Sequence, residues 1–270
     1  MTRHVQVDGM RLRVRIRGSG SPLLLVMGIG GNIEMWDPLV DALDGFETIA
    51  FDAPGTGESS RPWRPLWMTG LARVGEHLLD ALGYRQADVL GVSFGGGVAQ
   101  QMALQAPHRV RRLVLASTSC GLGSIPGNPL VLLALGTPLR YRSTRCMRLI
   151  APHLYGGELL RDPAALERHL EDRAARPPSV AGYAYQLLAM AGWSSLPFLQ
   201  RIRHPTLVLA GDRDPIVPLV NARILAARIP DARLHVFRGA GHLFLAERPA
   251  EAAAMLGDFL RPGEGGPLQD

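Results

Sequence analysis

Five short, unbroken apolar runs punctuate the chain: Leu23 to Met27, Thr48 to Phe51, Val89-Leu90, Leu113 to Ala116 and Thr206 to Ala210. A strand that alternates apolar and polar residues can leave one face in water, but a run apolar at nearly every position must be covered on both faces. Helical patterns occupy the intervals, over about Ile33 to Leu43, Leu66 to Leu82, Phe94 to Gln105, Leu219 to Arg228 and Pro249 to Leu260. Buried strand alternating with helix in this order predicts an α/β fold, a mostly parallel, doubly wound sheet. Near the N-terminus the period changes. Arg11, Arg13, Arg15 and Arg17 alternate with Leu12, Val14 and Ile16, which predicts a half-exposed antiparallel edge strand with its charges on one face.

The rhythm breaks between the strand ending near Ser117 and the one beginning near Thr206. This interval shows no clear strand, is punctuated by Pro126, Pro129, Pro138, Pro152, Pro177 and Pro178, and carries a helix start at Asp162-Pro163, an N-cap followed by proline at the first helical position. Residues 119–199 therefore read as a helical cap inserted into a core made of residues 1–118 and 200–261, with residues 262–270 as a frayed tail. The aromatic residues of the insert, Tyr141, Tyr155, Tyr183, Tyr185, Trp193 and Phe198, either pack on the core or line a site for an apolar substrate.

Composition excludes several classes of function. The net charge is +5, yet all 29 basic residues are Arg and they are scattered, with no basic stripe interleaved with aromatics; nucleic acid is not an expected partner. Arg3, His4, Gln6 and Asp8 interrupt the first residues, so no leader peptide can be drawn there and no run approaches a membrane span. A cytoplasmic protein is expected. Cys120 and Cys146 lack metal-like spacing and read as idle thiols. No metal or cofactor is called for.

Chemistry enters at Gly91-Val92-Ser93-Phe94-Gly95, between the apolar run at Val89-Leu90 and a glycine-rich helical stretch. A serine in the sharp turn between strand and helix has its hydroxyl pushed into the open, provided the flanking residues are small enough for strand and helix to approach. A hydroxyl is a weak nucleophile at neutral pH and needs a base, and that base needs an acceptor on its far nitrogen. In an open parallel sheet such groups gather in the loops after the strands. The loop after Thr206 to Ala210 reads Gly211-Asp212-Arg213-Asp214-Pro215. Asp214, farther from the strand end, is the candidate acid; Asp212 is expected to brace the turn. Among eight histidines, His242 alone lies in a glycine-rich loop after the last strand, Arg238-Gly239-Ala240-Gly241-His242, followed by Leu243-Phe244-Leu245. His235 alternates within a strand, His204 precedes proline, and His77 and His169 sit in helical patterns. Ser93, Asp214 and His242 are thus the candidate catalytic residues. The oxyanion of an acyl-transfer intermediate needs backbone donors, expected from the N–H groups of Phe94 and Ile29, the latter in the glycine-rich loop Met27 to Asn32.

With these residues in view, the chain resembles the α/β-hydrolase superfamily, and Asp52-Ala53-Pro54-Gly55-Thr56-Gly57-Glu58-Ser59 is similar to the D-x-P-G-x-G-x-S loop common there. Within it the chain looks most like bacterial intracellular poly(3-hydroxyalkanoate) depolymerases, on Met27 to Asn32, Ile150 to Gly157, Pro205 to Asp212 and Gly241 to Leu245. The resemblance implies a serine esterase acting through an acyl-enzyme on a polyester of medium-length 3-hydroxy acids, with a polymer granule surface as a partner and substrate contacts at Gly28, Tyr155, Tyr183, Trp193 and Phe244. Met27 stands where a histidine often precedes the oxyanion glycine. A serine at the elbow argues against dehalogenases and epoxide hydrolases, which use a carboxylate there. The alternatives left open are a general or lipase-like carboxylesterase, a carbon-carbon hydrolase or perhydrolase with the same three residues, and a non-catalytic ligand or granule binder.

Overall fold

The computed structural model describes residues 1–137, 144–157 and 162–261. Tyr141 and the expected tail at residues 262–270 lie outside the described residues. Eight strands form one sheet in the order β1-β2-β4-β3-β5-β6-β7-β8: β1 (Thr2–Val7), β2 (Met10–Gly18), β3 (Ser21–Val26), β4 (Phe46–Phe51), β5 (Ala87–Val92), β6 (Val110–Ala116), β7 (Thr206–Gly211) and β8 (Ala232–Phe237). β4 through β8 in spatial order are mutually parallel, while β2 runs antiparallel to both β1 and β4. The chain is a mostly parallel α/β fold, as expected from its apolar runs.

Helices cover both faces. On one lie α2 (Met68–Leu82), α3 (Phe94–Gln105) and α8 (Leu219–Arg228); on the other, α1 (Asp37–Ala42), α9 (Phe244–Glu247) and α10 (Pro249–Leu260). The inward residues of each buried strand divide accordingly. Leu24, Val26, Val89, Leu113, Leu115 and Val208 join the first layer, and Leu23, Leu25, Leu90, Val114, Leu207 and Leu209 the second, the period of two that a strand imposes. Between β6 and β7 come α4 (Pro129–Leu135), α5 (Thr144–Tyr155), α6 (Pro163–Ala175) and α7 (Val180–Met190). They carry a small core of their own, in which Val131, Met147, Ala151, Leu154, Tyr155 and Leu170 are buried. Asp162 caps α6 through the amides of Ala164 and Ala165, with Pro163 at its first position.

The N-terminal expectation needs correction. β2 is not the edge strand, because β1 pairs along it from Thr2 to Val7. Nor is its arginine face left to water. Glu34, Asp37 and Asp41 on the short 3₁₀ turn Ile33–Trp36 and on α1 lie over it, and Arg13 bonds Glu34 at 2.6 Å, Arg15 bonds Asp37 and Arg17 bonds Asp41 at 2.6 Å. Arginine every second residue on a strand meets acids three and four apart on a helix, so both periods align. β1, with only Val5 and Val7 turned away from solvent, has too little apolar patterning to announce itself.

Candidate active site

The turn from β5 to α3 is built by close approach. A Cβ on Gly91 would lie 2.3 Å from the carbonyl oxygen of Gly95, and one on Gly95 would lie 2.0 Å from that of Val26, distances that backbone atoms cannot relieve. Between them Ser93 takes φ 53° and ψ −118°, a region costly for a residue with a Cβ. The strain is held by hydrogen bonds: the Ser93 amide donates to Ala116 O at 2.9 Å, and its carbonyl accepts from Thr118 Oγ1 at 2.7 Å and Gly96 N at 2.9 Å. Phe94 opens α3, so its N–H is one of the helix's unpaired first-turn donors, next to the serine hydroxyl.

Asp214 and His242 arrive from the loops after β7 and β8. Asp214 Oδ1 accepts from the amides of Ile216 and Val217 at 2.8 and 2.9 Å, leaving Oδ2 to meet His242 Nδ1 at 2.7 Å. Both side chains are nearly buried, at 1% and 8% exposure, where a charge-assisted bond is strongest. This contact orients the ring and leaves Nε2 as the atom that exchanges protons. The His242 backbone is itself fixed at both ends: its N–H donates to Tyr155 O at 2.7 Å, and its carbonyl accepts from Ser117 Oγ at 3.1 Å. Ser117, at φ 45°, has a role that sequence reading missed; a lone serine at a strand end carries no distinguishing signal. Asp212 Oδ1 accepts from Gly239 N at 2.6 Å, bracing the two loops against each other, as expected of it. Ser93 and His242 line one cavity. No hydrogen bond joins them in this structure, a contact that such pairs often tighten only around substrate.

The loop Gly28 to Asn32 is held from the helical segment. Gln186 of α7 accepts from Gly30 N at 2.8 Å, Arg173 of α6 donates to Ile29 O at 3.0 Å, and Asn32 Nδ2 donates to Asp172 O at 2.8 Å. These bonds hold the loop that follows Met27. Asp52 completes the frame. Its buried carboxylate accepts from Ile33 N and Glu58 N, each at 2.9 Å, and pairs with Arg13, tying the Asp52 to Ser59 loop to the end of the Gly28 loop. Burial pushes the Asp52 carboxyl above its usual range against the pull of those partners.

Two cavities meet at Ser93. The smaller, about 80 Å³, is lined by Gly28, Ile29, Tyr155, His169, Arg173 and His242 among others. The larger, about 450 Å³, also touches Ile29 and is lined by Phe94, Leu122, Ile125, Met190 and Trp193. Of the residues expected to contact substrate, Gly28 and Tyr155 line the smaller cavity and Trp193 the larger. Tyr183 is fully buried with its hydroxyl on Leu135 O at 2.6 Å, and Phe244 stacks on Phe237 in the core; neither lines either of these two cavities. His169 and Arg173 line the smaller cavity although nothing in their helical surroundings distinguishes them. Burial keeps the His169 imidazole neutral, its pKa lowered to about 3, with Arg173 adding to the effect. Among the described residues no group of three His, Cys, Asp or Glu side chains is placed to hold a metal, and no helix is long and apolar enough to cross a membrane.

Comparison with known proteins agrees with this fold. The profile of the alpha/beta hydrolase fold family matches residues 21–249. A poly(3-hydroxyalkanoate) depolymerase from Ectopseudomonas oleovorans is 44% identical over 96% of this chain and 92% of its own. A 2-hydroxymuconate semialdehyde hydrolase from a Pseudomonas species is 32% identical over 96% and 93%. Among solved structures, a hydrolase from Pseudomonas aeruginosa superposes with a TM-score of 0.83 at 32% identity, covering 96% of this chain and 98% of the other. The enol-lactonase of Burkholderia xenovorans reaches the same score at 25% identity, covering 96% and 99%.

Proposed function

Since the chain belongs to the α/β-hydrolase fold family, we propose that it is a serine esterase that hydrolyses medium-chain poly(3-hydroxyalkanoate) or its oligomers through an acyl-enzyme. The observation that carries this reading is the 2.7 Å contact of His242 Nδ1 with Asp214, made by a ring that lines one cavity with the strained Ser93. His242 Nε2 takes the Ser93 proton as Oγ adds to the ester carbonyl, and Asp214 stabilises the imidazolium. The N–H groups of Phe94 and Ile29 receive the oxyanion, each donor contributing roughly 100- to 1000-fold in rate. The proton then passes to the departing alcohol oxygen, and water activated by the same imidazole releases the acid. No metal or organic cofactor takes part.

The polyester substrate is favoured by the 44% identical depolymerase and by the apolar lining of both cavities, which suits alkyl side chains on either side of the scissile bond. Residues 119–199 act as a cap over the core. The polymer itself, as a granule, is the partner. Initial rates on p-nitrophenyl esters of increasing acyl length, beside a medium-chain polyester suspension, test the assignment. Release of 3-hydroxy acids from the suspension, together with a rate maximum at medium length, is the expected result; turnover of short esters with an untouched polymer would reduce the protein to a general carboxylesterase.

A further inference from the structure

Three neighbouring residues at the C-terminal end of β6 bond both members of the proposed nucleophile and base pair. The carbonyl of Ala116 accepts from Ser93 N at 2.9 Å, Thr118 Oγ1 donates to the Ser93 carbonyl at 2.7 Å, and Ser117 Oγ donates to the His242 carbonyl at 3.1 Å. Ser117 is also anchored to the next strand, its N–H on Leu209 O of β7 at 2.9 Å. Both hydroxyl residues lie out of solvent, Ser117 at 1% and Thr118 at 5% exposure. In the sheet, β6 and β7 stand between β5, which leads into Ser93, and β8, whose following loop carries His242. The end of β6 spans that gap.

Backbone strain marks the same spot. Among the described residues only Asp8, Ser93 and Ser117 combine a side chain with a positive φ, at 50°, 53° and 45°. Asp8 belongs to the tight turn between β1 and β2, where Asp is a common occupant. A glycine at position 117 would take the same backbone without the cost, and this chain uses glycine at most of its other positive-φ positions. Serine keeps what glycine lacks, a hydroxyl, and among the described residues that hydroxyl is spent on the His242 carbonyl. Strain that is retained rather than relieved points to a functional cause.

Resting on the serine-esterase reading, we infer that Ser117 and Thr118 are positioning residues that set the separation of Ser93 from His242. Thr118 holds the nucleophile through its carbonyl, and Ser117 holds the base through its own. A single peptide bond joins the two, so neither loop shifts without drawing on the other. The separation matters because Ser93 Oγ gives its proton to His242 Nε2 as it adds to the ester carbonyl. A displacement of about 1 Å between such groups can cost roughly 100-fold in rate.

Rates on p-nitrophenyl octanoate, expressed per site titrated with a fluorophosphonate, test this. Ser117→Gly removes the hydroxyl but relieves the positive φ, so it should melt within about 4 °C of the unmodified protein. Its kcat should nevertheless fall about tenfold or more, with KM changed by less than about twofold. Labelling of Ser93 should slow by a similar factor, because it needs the same proton transfer. Thr118→Val, which keeps the shape and loses the hydroxyl, should lower kcat likewise, and Thr118→Ser should restore most of it. An undiminished kcat per site in Ser117→Gly, a loss confined to KM, or Thr118→Ser as slow as Thr118→Val would overturn the inference while leaving the esterase intact. Should Ser117→Gly fail to fold, the two Thr118 variants decide alone. No turnover by the unmodified protein, or Ser93→Ala as fast as it, would instead remove the esterase reading and this inference with it.

Discussion

Ser93 shows how much of a site can be made of backbone. Its φ of 53° is possible because Gly91, Gly95 and Gly96 let β5, α3 and the end of β3 come within contact that no Cβ could share. Gly95→Ala, whose new carbon would sit 2.0 Å from Val26 O, is expected to destabilise the fold by about 1–3 kcal/mol, as overpacking generally does, read from the midpoint of urea unfolding. In the proposed mechanism Ser93, Asp214 and His242 act as one unit. Ser93→Ala and His242→Ala should therefore each lower turnover by several orders of magnitude, and the double variant should be scarcely slower than either. A double variant slower by the product of the two losses would mean that the residues work independently.

At the level of helices and loops, three of the helices between β6 and β7 grip the loops of the candidate site: Gln186 and Arg173 hold the Gly28 to Asn32 loop, and Tyr155 O holds His242 N. Gln186→Leu removes the side-chain oxygen that accepts from the buried Gly30 N–H, at a cost of about 1–3 kcal/mol. It should lower kcat about tenfold or more, short of the roughly 100- to 1000-fold loss of an oxyanion donor; steady-state kinetics and thermal unfolding on one preparation separate the two effects. These contacts also mark where sequence reading stops. α3, α8 and α10 were legible to the residue because their apolar periodicity is local, and Ser93, Asp214 and His242 because each sits in a glycine-rich or turn-forming loop at a strand end. Arg173 to Ile29 and Gln186 to Gly30 span 144 and 156 residues, and no local pattern announces a partner so distant. Tyr183 and Phe244 misled for the related reason that an aromatic residue suits a core and a cavity wall equally well.

The molecule as a whole is two apolar layers on one sheet, with a third small core in the helical segment above the C-terminal ends of the strands. His169 belongs to that third region and makes it sensitive to acid. Its folded pKa, about 3, lies below the ordinary histidine value of 6.5 because burial disfavours the imidazolium. The unfolded chain binds this proton as pH falls through about 6.5 and the folded chain does not until about 3, so stability is lost on going down through that window. His169→Leu should flatten the fall in melting temperature between pH 7 and pH 4 relative to the unmodified protein; parallel curves would show that another group carries the acid sensitivity. The functional reading stands on Ser93 being an oxygen nucleophile made reactive by His242. A fluorophosphonate reacted with the protein and with His242→Ala, followed by mass spectrometry of the peptides, tests that pairing. The expected result is a single adduct on Ser93 in the unmodified protein, forming orders of magnitude more slowly without the imidazole; no adduct at Ser93, or labelling at the same rate in both proteins, would contradict it.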